Sequence, residues 1–292
     1  MVKTILVTGA TGTVGSEVVR QLSRDASSYN IKAGIHSVEN ANKVQQYDRV
    51  KAVQIDYDKN DGLESAFKDV EKLFLLTHPS PKTVELESNL VAEAVKSGIK
   101  QIVKQSIMGA DLGADVEAMR LHRQTENLIV DSGIPYTFLR PNEFMQGFIN
   151  FHGHTIKSNN AFYMPADDAK VSFVDARDIA AVAVKALLDG DIHYNKSYLI
   201  TGPEALSYYQ TAEILSNATG KKIEYVNISD KEAREGMKEA GLDDWLINTI
   251  SDLCTVFRKG YASEVSSAVE EVTGKKATTF VEFAKDYADA FR

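Results

Sequence analysis

The chain has 292 residues, 43% hydrophobic and 25% charged, the profile of a soluble globular protein, and its length suits two domains better than one core. A net charge of −8 without any lysine- or arginine-rich tract argues against nucleic acid as a partner. No apolar stretch reaches the roughly 18 residues that span a bilayer, so no membrane is expected, and the single cysteine, Cys254, allows neither an intramolecular disulfide nor a thiolate metal cage. With an opening that runs into a strand rather than a signal peptide, these features make a cytoplasmic protein the expectation.

Through the first half, short β-branched runs alternate with amphipathic stretches, the rhythm of βαβ units around a parallel sheet. Strands are expected at 4–9 (TILVTG), 31–36, 50–56, 72–77, 100–106 and 135–140. In one of the helices between them, Leu86, Leu90, Val91, Ala94 and Val95 share a face and Gly98 ends the run. Gly133 ends the helix that precedes the sixth strand. After Pro141 the pattern changes. KVSFVDARDIAAVAVKALLDG reads as a strand leading through Asp175, as N-cap, into a helix, and 196–202 reads as a further strand. From Leu206 on, only 221–229 is not helical in pattern. The expected fold is α/β, a Rossmann-type doubly wound parallel sheet built from residues 1–143 with 170–203 returning to it. Residues 204–292, with 144–169, form a smaller, mostly helical cap domain.

The stretch ILVTGATGTVG places Gly9, Gly12 and Gly15 where the first strand hands over to a helix. Such a turn offers backbone N–H groups and the positive end of a helix dipole to a diphosphate. Gly9 allows the tight turn, Gly12 the close approach of phosphates, and Gly15 the packing of helix on strand. Thr11, Thr13 and Val14 complete the expected dinucleotide loop, and Thr8 adds a hydroxyl nearby. An acid about 20 residues on would mark NAD through its ribose hydroxyls. That place holds His36 and Ser37, with Glu39 and Lys43 beyond, which favours the 2′-phosphate of NADP and leaves NAD as the alternative. Asp56, ending the third strand, is a candidate for the adenine amino group, or simply a helix N-cap.

Taken together, TGATGTVG, HRQTENLIVDSGIPYTFLRPNEFMQGF, FVDARDIAAVAVKAL, YLITGPEALSYYQTAEILSNATGKKI and RKGYASEVSSAVEEVTGKKATTFVEFAKDY resemble the NmrA-like family of atypical short-chain dehydrogenase/reductases across essentially the whole chain. The resemblance implies either an NAD(P)H-dependent reductase of quinones, dyes or phenolic compounds, or a protein that binds the dinucleotide and reports redox state to a regulatory protein partner. Short-chain dehydrogenases pair a serine with Tyr-x-x-x-Lys, whose tyrosine exchanges a proton with substrate. Ser106 occupies the serine position, but the helix that follows offers Ala118 and His122, or Met119 and Arg123 in the neighbouring register. The Tyr47-to-Lys51 match precedes the third strand and lies at the wrong end of the sheet for chemistry. Without the tyrosine, an electron-poor conjugated acceptor such as a quinone is the expected substrate, with His122 or water handling the proton.

Thr77, His78 and Pro79 end the fourth strand and Ser106, Ile107 and Met108 the fifth, so both groups are expected to face the nicotinamide. Asn142, Glu143, Phe144, Met145 and Phe148 follow the sixth strand and, by the resemblance, line the substrate cavity. Trp245, Leu253 and Phe257 are candidates to close it from the cap. The pair His152 and His154 lacks a third ligand, so no metal is expected. No Gly-x-Ser-x-Gly elbow is present for a hydrolase.

Overall fold

The computed structural model describes residues 3–59, 61–112 and 116–292. Its chain runs β1 (Lys3–Val7), α1 (Thr13–Asp25), β2 (Tyr29–Ile35), α2 (Ala41–Gln45), β3 (Val50–Gln54), α3 (Leu63–Phe67), β4 (Lys72–Leu75), α4 (Thr83–Lys96), β5 (Gln101–Gln105), α5 (Glu117–Asp131) and β6 (Tyr136–Pro141). It continues through α6 (Gly147–Asn150), α7 (Gly153–Asn159), β7 (Ala161–Met164), β8 (Lys170–Val171), α8 (Ala176–Leu188), β9 (Lys196–Ile200) and β10 (Leu206–Ser207). The remainder is α9 (Tyr208–Thr219), β11 (Glu224–Asn227), α10 (Asp230–Glu239), α11 (Asp244–Arg258), α12 (Ala268–Thr273) and α13 (Phe280–Asp286).

Seven strands form one sheet in the order β3-β2-β1-β4-β5-β6-β9. The pairings of β1 with β2 and β4, β2 with β3, β4 with β5, and β5 with β6 are all parallel. The order reverses between β1 and β4, the place where such sheets open a crevice at their carboxyl edge. Central strands are buried on both faces, which is why they read as unbroken apolar runs: Ile5, Leu6 and Val7 are fully buried, as are Leu73, Phe74 and Leu75. One face packs Leu86, Leu90, Val91 and Ala94 of α4 and Ile129 of α5 against Leu6, Leu73, Leu75 and Ile102. Val95, expected on that face, is 51% exposed, because the apolar stripe of α4 is narrower than the run of apolar letters.

The chain divides into two compact units, one of Met1–Arg140 with Ile179–Leu199 and one of Pro141–Asp178 with Ile200–Arg292. Of the segment 170–203 expected to return to the sheet, β9 does so. Lys170–Val171 instead pairs antiparallel with Leu206–Ser207, in a separate two-stranded sheet of the second unit. The core of that second unit is aromatic. Phe148 sits with its ring centroid 5.4 Å from Phe162, 5.4 Å from Phe173, 5.0 Å from Phe280 and 6.0 Å from Tyr208. Among the described residues no helix is long and apolar enough to cross a membrane, and no group of three or more His, Cys, Asp or Glu could hold a metal.

Candidate active site

The turn after β1 is built around its glycines. Gly9 has φ +61°, a left-handed backbone that side chains rarely adopt. A Cβ on Gly15 would lie 2.1 Å from the Gly9 carbonyl oxygen, so only glycine lets α1 start this close to the strand. A Cβ on Gly12 would meet only that same oxygen, at 3.3 Å, and its φ of −82° suits any residue, so a methyl group there asks the turn to give by a few tenths of an ångström without straining its own backbone. Gly12 is exposed and stands as N-cap of α1, with no side chain capping the helix and no acid in its first turn. Backbone donors and a helix dipole are thus presented without a protein anion to meet them, a cradle that fits a diphosphate. Thr11 and Thr13 are half-buried beside it. Val14 is 1% exposed, so the loop has only its backbone to offer at that position.

Two groups behind the loop hold it in place. The Thr8 hydroxyl is fully buried, accepts from the Leu76 amide at 2.8 Å and lies 3.1 and 2.9 Å from the Phe74 and Leu76 carbonyls, so it ties β1 to β4 rather than serving a ligand. Tyr57 accepts a hydrogen bond from the Gly9 amide at 3.3 Å. Burial pushes its phenol up to about 12, which keeps it a neutral hydroxyl. Sequence reading missed Tyr57, since nothing local announces a contact across 48 positions.

Beyond β2, His36 and Lys43 are exposed. The Ser37 hydroxyl accepts from the Glu39 amide at 3.3 Å and caps the 3-10 turn Val38–Asn40. Asp56 is engaged locally: Oδ1 accepts from the Asp58 and Lys59 amides, both at 3.1 Å, and Oδ2 from Lys59 Nζ at 2.9 Å. Those Lys59 contacts hold its carboxyl below the usual range. A turn cap is therefore what the geometry gives Asp56, because both its oxygens already have donors.

At the ends of β4 and β5 lie two buried polar networks. Thr77 donates at 3.0 Å to Glu87 of α4, and Glu87 pairs with Lys104 of β5 at 2.5 Å. Both charges are shut off from solvent, and a buried pair of this kind is costly to break from one side. Ser106 donates at 2.7 Å to Glu126 of α5, which also takes a double contact from Arg140, Nε at 3.0 Å and Nη2 at 2.7 Å, and a further one from Arg123 at 3.1 Å. Burial alone would raise the Glu126 carboxyl, but the hydrogen bonds from Arg140 and Ser106 outweigh it and hold it below its ordinary value. A lysine in mid-strand and a glutamate on the buried side of α4 were the visible signals for the first network, and neither was read.

His122, on the same helix as Glu126, has its Nδ1 buried without a partner among the described residues. Burial first, and then the Lys104 charge, hold its imidazole well below 6.5. At neutral pH it is therefore an uncharged ring rather than an imidazolium. His78 is exposed, and Met108 is 9% exposed.

In the second unit the expected lining residues separate. Asn142 is 4% exposed and fully engaged: its Nδ2 donates to Ser172 Oγ at 2.7 Å and to the Ala262 carbonyl at 2.8 Å, and its Oδ1 accepts from the Glu143 amide at 2.8 Å. It ties its unit together and has no amide hydrogen left for a substrate. Met145 and Phe148 are core, 1% and 2% exposed. Phe144 and Trp245 are half-buried. Glu143, expected with this segment to line the cavity, is half-buried, and burial pushes its carboxyl up to about 7.

A parallel sheet with this strand order and a glycine-rich turn opening its first helix defines a dinucleotide-binding α/β protein. The NmrA-like family profile matches residues 1–287, and the chain belongs to the NmrA-like family. It is 36% identical over 287 residues to the NAD(P)H azoreductase of Xenophilus azovorans, covering 98% of this chain and 99% of that one. Among solved structures it resembles the NADPH-dependent quinone oxidoreductase of Escherichia coli complexed with NADPH, at 27% identity, a TM-score of 0.85, and coverage of 97% and 99%. It also resembles the Citrobacter sp. triphenylmethane reductase complexed with NADP(H), at 27% identity, a TM-score of 0.84, and coverage of 98% and 99%.

Proposed function

We propose that this chain is a cytoplasmic NAD(P)H-dependent oxidoreductase that passes hydride to a quinone-like or azo-type conjugated acceptor, with NADP favoured over NAD. The observation that carries the reading is the Gly9–Gly12–Gly15 turn, where an exposed helix N-cap makes no side-chain cap hydrogen bond and suits a diphosphate. Relatives named for azo compounds, quinones and triphenylmethane over nearly the whole chain support the acceptor class.

When bound, the dinucleotide supplies a hydride, and one proton from water completes reduction of a quinone to its hydroquinone. The chain's part is to bind and orient. Thr11, Gly12, Thr13, Val14 and Gly15 hold the phosphates, and His36, Ser37 and Lys43 receive the adenosine end. The Thr77 and Ser106 segments frame the nicotinamide, and neutral His122 positions the acceptor. A stabilised hydroquinone product makes the absent Tyr-x-x-x-Lys pair dispensable, which a plain alcohol or ketone would not.

Purified protein with NADPH and a quinone such as menadione should consume the reductant at about 1 per second or faster. His122→Ala should lower kcat about tenfold and leave NADPH affinity unchanged. Binding of NADPH without turnover of any quinone or azo dye would favour the redox-reporting reading, in which a regulatory protein is the partner.

A further inference from the structure

We propose that the hydroxyl oxygens of Thr77 and Ser106 form a paired acceptor for the two N–H groups of the nicotinamide carboxamide, held in that role by the buried Glu87–Lys104 and Glu126–Arg140 pairs. The proposal rests on the functional reading above and deepens it by naming the atoms that recognise the redox end of the dinucleotide. All six residues belong to one compact unit, that of Met1–Arg140 with Ile179–Leu199. Strands β4 and β5 pair in parallel from Lys72 opposite Gln101 to Leu75 opposite Lys104. Carrying that register two positions further sets Thr77 opposite Ser106, and the alternation along a strand puts both on the face covered by α4 and α5. The same strand end touches the glycine turn. The Leu76 amide donates to Thr8 at 2.8 Å, and the Leu76 carbonyl oxygen lies 3.0 Å from where a Cβ on Gly9 would stand. With the diphosphate on that turn, the sheet order β1-β4-β5 places these two strand ends next along the carboxyl edge.

The two ends are built alike. Thr77 donates to Glu87 at 3.0 Å and that carboxylate is held by Lys104 at 2.5 Å, while Ser106 donates to Glu126 at 2.7 Å and that carboxylate is held by Arg140 at 2.7 Å. A hydroxyl has one hydrogen, so each oxygen is left only to accept, and the ionised partner makes the commitment strong. Each residue keeps a little exposed surface, 8% for Thr77 and 4% for Ser106. Apolar residues can replace a buried ion pair at no loss of stability, so two such pairs behind neighbouring hydroxyls point to orientation rather than to stability. An amide NH2 only donates, and it donates twice. At hydrogen-bond lengths of about 2.9 Å its two N–H groups reach acceptors about 5 Å apart, and neighbouring strands lie about 4.8 Å apart. The carboxamide nitrogen therefore bridges the pair. A ribose hydroxyl, with one hydrogen, meets one oxygen and not both.

The test is calorimetry with NADP and its 3-acetylpyridine analogue, in which a methyl group replaces the amide NH2 and the carbonyl is kept. Wild type should bind NADP about twentyfold more tightly than the analogue, two neutral hydrogen bonds at about fivefold each. Thr77→Val and Ser106→Ala should each weaken NADP about fivefold and leave the analogue unchanged, whereas Thr77→Ser, which keeps the hydroxyl, should bind both as wild type does. Glu87→Leu with Lys104→Met removes both charges of one pair together and frees the Thr77 hydrogen, so it should lower the preference for NADP as Thr77→Val does. A merely structural pair would leave that preference intact, and this result would overturn the positioning role. Wild type that binds the two dinucleotides equally, or Val and Ala variants that keep the wild-type preference, would overturn the paired acceptor while leaving the dinucleotide site standing. A wild type that binds neither would overturn the functional reading and this assignment with it.

Discussion

The Ser106 hydroxyl donates to Oε1 of Glu126 across 2.7 Å, and that carboxylate is held in turn by the guanidinium of Arg140. The serine that stands where short-chain dehydrogenases keep a catalytic hydroxyl has therefore committed its hydrogen bond to a buried structural anion. Its remaining capacity is to accept, and its position is fixed by a charge-assisted bond. Ser106→Ala should accordingly cost about 2 kcal/mol in urea unfolding, for a lost bond to a charged group. Its kcat should fall by less than about tenfold, well short of the factor of about 10² to 10⁴ attached to a true proton donor. A fall of that larger size with unchanged stability would mean the hydroxyl turns toward the substrate during reaction.

Glu143 makes stability depend on pH. Burial raises its carboxyl from 4.5 to about 7 in the fold, so the folded chain holds a proton that the unfolded chain releases. The contribution is fully present below about pH 4.5 and is lost as pH rises toward 7. Set beside Glu143→Gln, wild type should lose about 2 kcal/mol across that interval, allowing for solvent screening at a half-buried side chain. His152, whose imidazole burial pushes down to about 4, acts in the opposite sense over part of the same range but is common to both proteins. Parallel stability curves for the two proteins from pH 4 to 8 would contradict the assignment.

Tyr57 supports the glycine turn after β1 through the Gly9 amide. Tyr57→Phe keeps the buried ring and removes only the hydroxyl. NADPH should then bind about fivefold more weakly, with kcat at saturation unchanged, as expected of a positioning residue. The readout is the NADPH dissociation constant, and an unaltered value would show the contact to be incidental.

The sheet was legible because strands buried on both faces leave continuous apolar runs, and glycines at +61°, +70° and +72° for Gly9, Gly98 and Gly133 are marks that survive in one dimension. The two-residue strand Lys170–Val171 was too short to announce which partner it would take. At the site, the glycine turn between β1 and α1 is local and could be read. The roles of Asn142 and Phe148 could not, since an amide and an aromatic ring look the same in sequence whether they line a cavity or fill a core. Tyr57 and the Glu87–Lys104 pair are long-range contacts, visible only as polar letters in buried stretches.

The central claim is that the turn between β1 and α1 receives a diphosphate, and Gly12→Ala tests it most directly. The added methyl group meets only the Gly9 carbonyl at 3.3 Å, on a backbone that any residue adopts, so the fold should survive with Tm within a few degrees of wild type. It would, however, stand at the exposed lip where the phosphates must approach. Isothermal titration should show NADPH binding weakened by at least about tenfold, a loss of about 1.4 kcal/mol, in a protein that remains folded. A folded Gly12→Ala variant that binds NADPH with wild-type affinity would contradict the account.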